Sequence, residues 1–473
     1  MRFDLDLRPY QTALIEDVRH SFRSGKRSPL LQLPTGGGKT VLTAFILASS
    51  AHRGRSAAFL VHRKELIAQT SKTLHLAGVP HGVIHPDWPT TRHLIQVASV
   101  QTLVRRLHRH RKFDTIVIDE AHHSVAGTWR KILDHYGNAA LLGLTATPAR
   151  LDGKGLGIQA GGVFDDLVIG PSMMELIEGG FLARPKVFAS ERHLDLSGIH
   201  TRAGDFAADE VAEVMNRREI VGDAVAHYEQ HLPGKRAIAF CASVEHAANV
   251  AATFNARGIP ARRLDGTLSS YERSAAVEGF AAGEIKVLTS CELISEGFDV
   301  PGCDGALLLR PTQSESLYLQ MVGRALRPAP GKPFAVILDH VGNVARHGLP
   351  QEAREWTLDG RRRRESPPET KQCPGCFAVL PSYVTTCPEC EHSFGEDAER
   401  RRAEAARSRE LESVNGNLIE LTPEMIAAAA AAKARRMQVG MARTREQLEA
   451  IARERGYRMG WVDRMLAARG QRR

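Results

Sequence analysis

Leu30-Leu31-Gln32-Leu33-Pro34-Thr35-Gly36-Gly37-Gly38-Lys39-Thr40-Val41 is the stretch that decides the fold. A short apolar run (residues 30–33) passes into a glycine-rich turn (residues 34–40), and the turn opens an apolar helical stretch (residues 41–47). In such a strand–turn–helix, backbone N–H groups and a helix N-terminus point at one spot, which suits bound phosphate. Thr35, Gly36, Gly37 and Gly38 would cradle the phosphates, Lys39 would reach the outer two, and the Thr40 hydroxyl would ligate Mg²⁺. The pattern departs from the full phosphate-loop consensus at Leu33, where a first glycine would stand.

Working outward, Asp119-Glu120-Ala121-His122-His123 directly follows the β-branched run Thr115-Ile116-Val117-Ile118. The run reads as a strand that delivers two carboxylates to the carboxyl edge of a sheet, where ligands of open α/β folds bind. Asp119 is placed to hold Mg²⁺, usually through water, and Glu120 to orient or deprotonate an attacking water. Alone, the pair would read as a solvated turn; downstream of a phosphate loop it reads as catalytic. Further on, Gln320, Arg324 and Arg327 fall at i, i+4 and i+7, on one helix face. Arginines from a second domain can stabilise charge developing on a γ-phosphate. The three motifs in this order point to a motor that binds and splits ATP.

The bulk properties agree with a soluble multidomain protein. The 473 residues allow two to four domains, and 43% hydrophobic with 25% charged residues is ordinary for globular chains. Net charge is +9, and about six of those charges lie after Gly360. A basic balance fits a polyanionic partner, although charge alone fits a solvated surface equally well. Residues 1–7 contain no apolar signal core and no apolar run is long enough for a membrane span, so cytoplasm without membrane contact is the expectation.

Two blocks of short buried-strand candidates follow one another. The first comprises residues 30–33, 57–61, 94–98, 115–118 and 141–144; the second, residues 237–241, 286–290, 306–309 and 335–338. Continuous apolar runs separated by helical stretches indicate parallel sheets covered on both faces. The expected organisation is an ATP-binding α/β domain (1–170), a connecting segment (171–234) and a second α/β domain (235–360). A charged linker (361–372), a cysteine module (373–392) and a basic helical tail (393–473) complete the chain.

Here the sequence resembles superfamily 2 helicases and translocases, from about Leu7 to about His340. Arg8-Pro9-Tyr10-Gln11 resembles the adenine-reading motif, which implies base contact by Gln11 beside Arg8. The stretches around His62-Arg63 and Ser99-Val100-Gln101-Thr102 resemble the motifs that line the nucleic-acid track. Leu144-Thr145-Ala146-Thr147-Pro148 resembles the motif that couples ATP state to strand grip. In the second domain, Phe240-Cys241-Ala242-Ser243 and the stretch from Thr289 to Pro301, with Gly297 and Asp299, resemble the fourth and fifth motifs. The arginine helix resembles the sixth. The resemblance implies two tandem RecA-like domains with ATP between them, Gly297 and Asp299 at the nucleotide and Thr289 at the nucleic acid. Asp-Glu-Ala-His-His together with Arg-Pro-Tyr-Gln is similar to the branch holding restriction motors, repair translocases and bacterial RadD-like proteins. That implies DNA, duplex, forked or single-stranded, as the track; an RNA helicase, a restriction motor subunit and a partner-activated scaffold are the alternatives.

Cys373-Pro-Gly-Cys376 and Cys387-Pro-Glu-Cys390 are two Cys-x-x-Cys knuckles ten residues apart. Four thiolates at this spacing suit one tetrahedral Zn²⁺ in a closed structural site, and the short intervening segment would draw its folding energy from the metal. Such a ribbon behind two motor domains resembles the RadD-like group, which acts in DNA repair or recombination. In the tail, Tyr457 and Trp461 among several arginines would either stack on bases or pack a small helical bundle, and a partner protein could also bind there.

Overall fold

The computed structural model describes residues 6–62, 64–124, 127–150, 154–190, 199–202, 205–215, 218–291 and 303–359, and, towards the C-terminus, residues 370–372, 379–381, 385–386, 391, 393, 418–420, 438–439, 442, 444–457 and 460–470. It forms two compact units, Met1–Arg361 with Gly416–Glu420, and Arg362–Asn415 with Leu421–Arg473.

Seven strands make the first sheet: β1 (Pro29–Gln32), β2 (Ala57–Val61), β3 (His81–Ile84), β4 (Ile95–Ser99), β5 (Thr115–Ile118), β6 (Ala140–Thr145) and β7 (Asp166–Ile169). Their order is β3-β4-β2-β5-β6-β1-β7, and every pairing is parallel. Successive side chains alternate between faces, which splits the apolar runs into two cores. Leu31, Phe59, Val61 and Val117 pack with Leu42 and Leu47 on one face, while Leu30, Ala58, Leu60, Ile116 and Ile118 pack on the other. Full burial of such a leucine stabilises by roughly 1.5–3 kcal/mol, so strand runs without polar residues are what a sheet covered on both faces requires.

The second sheet collects strands from further afield. It contains β8 (Arg184–Ser190), β11 (Ala237–Cys241), β12 (Ala261–Leu264), β13 (Val287–Ser290), β14 (Gly305–Leu309), β15 (Phe334–Asp339) and β18 (Leu418–Glu420), ordered β12-β13-β11-β14-β15-β8-β18. Six run parallel and β18 is antiparallel to β8. Two strands therefore depart from the expected organisation. β8 pairs along its length with β15 although it lies in the stretch read as a connector, and β18 belongs to this sheet although its residues were read as helical tail. The reason is position. β8 lies one strand in from the edge and β18 at the edge; in β8, Arg184 is exposed and Lys186 half-buried, so the apolar run is lost. A hairpin, β9 (Thr201–Arg202) with β10 (Asp205–Phe206), precedes β11.

In the second unit, β16 (Thr370–Gln372) pairs antiparallel with β17 (Val379–Pro381). The helices Arg445–Arg455 and Gly460–Gly470 share a core of Val439, Leu448, Ile451, Trp461 and Met465. Trp461 is fully buried there with Tyr457 against it, ring centroids 4.8 Å apart, so the bundle reading of these aromatics holds for Trp461. Among the described residues, no helix is long and apolar enough to cross a membrane.

Candidate active site

The glycine-rich turn does what its sequence demands. Gly36 and Gly38 take φ of 87° and 85°, left-handed backbone that suits glycine. Gly38 caps the helix Lys39–His52 with no side-chain hydrogen bond to its first N–H groups. Lys39 Nζ donates to the Leu33 carbonyl at 3.0 Å, which folds the ammonium back over the loop. The helix Pro9–Arg23 buttresses the loop from behind. Gln11 accepts from Arg8 N through Oε1 (2.9 Å) and donates from Nε2 to the Gly37 carbonyl (3.3 Å). Tyr10 Oη donates to the same carbonyl at 2.8 Å. The Arg8 guanidinium lies over the Phe181 ring at 4.8 Å, and Tyr10 meets that ring edge-on at 5.0 Å. Phe181 carries no sequence signal, because it sits in the aperiodic stretch before β8.

Asp119 and Glu120 emerge at the carboxyl end of β5, beside the phosphate loop of β1. Glu120 has φ of 46°, rare for a side-chain-bearing residue and a mark of a position fixed by its surroundings. Its backbone N–H donates to Asp119 Oδ1 at 3.0 Å. Glu120 is buried, and its Oε2 makes no hydrogen bond among the described residues, with His122 Nδ1 3.5 Å away. Burial first, and the Glu120 charge second, push the Asp119 carboxyl up to about 6, while Lys39 pulls it down. Burial also draws the Lys39 ammonium below its usual range, opposed by Glu120 and Asp119 and reinforced by Arg324 and Arg327. Those charges act on Lys39 together, so the groups singled out in three distant motifs share one site.

The second-domain part is the helix Glu315–Ala325, capped at Ser314, whose Oγ accepts from Leu317 N at 3.1 Å. Gln320 and Arg324 are buried on it, and Gln320 Nε2 has no hydrogen-bond partner among the described residues. Arg327 lies two residues past the helical end, so the single-face reading holds for Gln320 and Arg324 only. Pro328 follows directly and disfavours further helix, and Lys332 Nζ donates to the carbonyls of Ala325 and Arg327 past the last turn. A polar chain ties this helix to the acids. His122 Nδ1 lies 3.3 Å from Thr145 Oγ1, Thr145 Oγ1 donates to the Thr147 carbonyl at 3.0 Å, and Thr147 Oγ1 donates to Ser316 Oγ. His122, Thr145, Thr147 and Ser316 join the site as connectors. His122, Thr145 and Thr147 stand inside motifs already singled out in the sequence, whereas Ser316 carries no sequence signal beyond nearness to the arginine helix.

The expected nucleic-acid residues divide. His62 and Gln101 stand at the carboxyl ends of β2 and β4, with Gln101 Nε2 donating to the His62 carbonyl at 3.3 Å and its side chain exposed. Thr102 is buried, with its N–H on Ser99 Oγ (3.4 Å), and serves the turn. Thr289 is fully buried inside β13 and donates to the Ala247 carbonyl at 2.7 Å, so the expected strand contact is corrected to a structural one. Arg63, Gly297, Asp299 and the four cysteines Cys373, Cys376, Cys387 and Cys390 lie outside the described residues.

The residues fit ATP with a divalent cation. The buried Glu120 Oε2, which makes no hydrogen bond among the described residues, the raised Asp119 carboxyl and the uncapped helix start supply cation-facing acids and phosphate-facing donors in one place. Comparison with known proteins gives the same result. Residues 4–150 match the family of the type III restriction enzyme res subunit, and residues 217–329 match the helicase conserved C-terminal domain. A 51.5 kDa protein of a Lactococcus phage (isolate 7-9) is 34% identical over 399 residues, covering 83% of each chain. The chain belongs to the superfamily 2 helicases. A candidate ATP-dependent helicase of Saccharomyces cerevisiae, IRC3, is 34% identical to this helicase over 362 residues, 71% of this chain but 51% of the yeast protein. The fragment structure of a candidate HsdR subunit of a type I restriction enzyme from Vibrio vulnificus YJ016 shares the fold. Its TM-score is 0.57 at 23% identity, over 74% of this helicase and 68% of that chain. The protein is thus an ATP-hydrolysing enzyme with two tandem RecA-like domains.

Proposed function

We propose that this helicase is a DNA-stimulated ATPase that translocates along or unwinds DNA in the cytoplasm, in repair or recombination. The observation that carries the reading is the convergence of Lys39, Asp119 and Glu120 from one domain with Arg324 and Arg327 from the other. A site split between two domains turns over only when they close, and closure is a movement that can be tied to a polymer. In the reaction, water attacks the γ-phosphorus, the bond to the β–γ bridging oxygen breaks, and ADP and phosphate leave. Glu120 receives the proton of the attacking water, Lys39 and the loop N–H groups hold the phosphates, and Arg324 and Arg327 meet the charge that develops. Thr40 and, through water, Asp119 would hold Mg²⁺, which when bound would neutralise negative charge on the β- and γ-phosphates.

DNA is favoured over RNA by the Arg-Pro-Tyr-Gln and Asp-Glu-Ala-His-His pairing and by the match to a restriction-enzyme family. That match also favours a second reading, the motor subunit of a restriction system. Zn²⁺ on Cys373, Cys376, Cys387 and Cys390 belongs to the same proposal. It is supported by two strand pairings that bracket the knuckles, Gln372 with Val379 around the first and Thr386 with Ser393 around the second. The unit behind them offers the surface for a protein partner.

Triplex displacement on duplex DNA tests the reading. ATP-dependent release of the third strand by wild type, absent in Glu120→Gln, supports a translocase. Vigorous ATP turnover with neither displacement nor unwinding would move the assignment to a partner-activated scaffold. Activity that emerged only with methyltransferase and specificity subunits would favour the restriction motor.

A further inference from the structure

The segment after the second sheet holds its arginine helix from outside. Beyond the short helix Asn343–His347 the chain turns at Gly348, whose φ of 82° and ψ of −178° suit glycine alone. A β-carbon there would stand 2.1 Å from Glu352 Oε2, and Leu349 N donates to Glu352 Oε1 at 3.0 Å to close the turn. The chain then runs back with Arg354, Trp356 and Leu358 half-buried and Ala353, Glu355 and Thr357 exposed, the alternation of an extended strap.

Each end of the strap is fixed to a different α/β domain. At the near end, Arg354 uses all its N–H groups. Nε donates to Glu315 Oε1 at 2.7 Å, Nη1 to the Pro350 (2.9 Å) and Glu352 (2.8 Å) carbonyls, and Nη2 to those of His347 (3.4 Å) and Leu349 (3.1 Å). Glu315 opens the arginine helix, and one turn later Tyr318 Oη donates to the Gly348 carbonyl at 3.0 Å. Midway, Trp356 lines a cavity of about 190 Å³ together with Thr35 of the phosphate loop, Thr147 and Leu319. At the far end, the Leu358 carbonyl accepts from Leu156 N (3.0 Å) and Gly157 N (2.9 Å), and its side chain packs on the first-domain core. Gly157 comes so close that a β-carbon on it would touch Leu358 Cβ at 3.0 Å.

We propose that residues 348–358 are a clasp that sets the arginine helix over the phosphate loop, with Arg354 as its positioning residue. The inference rests on the role assigned above to Arg324 and Arg327. Arg324 lies nine residues from Glu315, about 13 Å along the helix, so a tilt of about 10° at the first turn displaces it by about 2 Å. A shift of that size removes a hydrogen bond to a transferring phosphoryl group. The contacts of Arg354 go to Glu315 and to backbone carbonyls, so it acts through the helix and not on the nucleotide.

Steady-state ATPase of the full chain tests this with Arg354→Gln, Leu358→Ala, Arg324→Ala and the two double variants carrying Arg324→Ala. Arg354→Gln and Leu358→Ala are each expected to lower kcat about tenfold with KM held within about twofold. Each is expected to add little to Arg324→Ala, because the group being positioned is gone. Leu358 sits far from Arg354 along the strap, so a shared kcat loss cannot come from local damage around one of them. Wild-type kcat in both single variants, or full multiplicative loss in the doubles, would overturn the clasp. Wild-type turnover in Arg324→Ala would instead remove the arginine assignment beneath it.

Discussion

A β-carbon on Gly323 would lie 2.6 Å from Thr35 Cβ, so the arginine helix and the phosphate loop approach each other with no room for a methyl group. Gly323→Ala should therefore improve the helix and impair the enzyme. In an exposed helix interior the change is worth about 1 kcal/mol in favour of alanine, whereas here it wedges the two domains apart. The expected outcome is a kcat loss of about tenfold or more with the melting temperature unchanged or raised. A parallel loss of melting temperature would mean that the glycine serves folding and not closure.

The groups of the site should separate by kinetic signature. Lys39→Ala is expected to remove most turnover and weaken ATP binding, because the ammonium is held among the phosphate-facing groups. Glu120→Gln should leave binding in place and lower kcat by about a hundredfold or more, as expected for loss of a general base. Arg327→Ala should depress kcat much more than ATP affinity. Equal losses in both would argue against a transition-state role.

His246 gives the second sheet a defined acid sensitivity. Its ring is fully buried, its Nδ1 accepts from Ala242 N at 3.2 Å, and burial pulls it down to about 4. The unfolded chain takes up this proton near 6.5 and the folded one only near 4, so stability is fully present above 6.5 and falls as pH drops through that window. The loss from this one ring is on the order of 3 kcal/mol. His246→Asn, which keeps an acceptor for Ala242 N, should flatten the decline in melting temperature between pH 6.5 and 4. An unchanged slope would place the acid sensitivity elsewhere.

Cys387→Ser with Cys390→Ser should release bound zinc, read as metal content per chain, and leave basal ATP turnover near wild type. The ATP-site residues all precede the cysteine module in the chain, so the two readouts are separable. Unchanged metal content would end the zinc assignment.

The centre of each sheet was legible and its margins were not. β1, β2, β5, β11 and β14 are buried on both faces and carry unbroken apolar runs with few polar residues, which is why their ends, and with them Lys39 and Asp119-Glu120, could be placed from sequence. β12 reads Ala-Arg-Arg-Leu and β3 reads His-Gly-Val-Ile, because an edge strand can leave side chains in water. The long-range partners were hidden for a different reason. Ser316 and Thr147 come from different domains, Phe181 beside Arg8 and Arg354 on Glu315 are far apart in the chain, and no local periodicity encodes such meetings. The motif position of Thr289 suggests a polymer contact, while its place inside β13, between β12 and β11, buries it.

The most direct test of the central claim is steady-state ATP hydrolysis with no polymer, single-stranded DNA, duplex DNA, forked DNA and RNA, with Lys39→Ala as the blank. A DNA motor predicts turnover that rises with one or more of the DNA forms and not with RNA. Stimulation by RNA alone, or equal turnover under every condition, would contradict it.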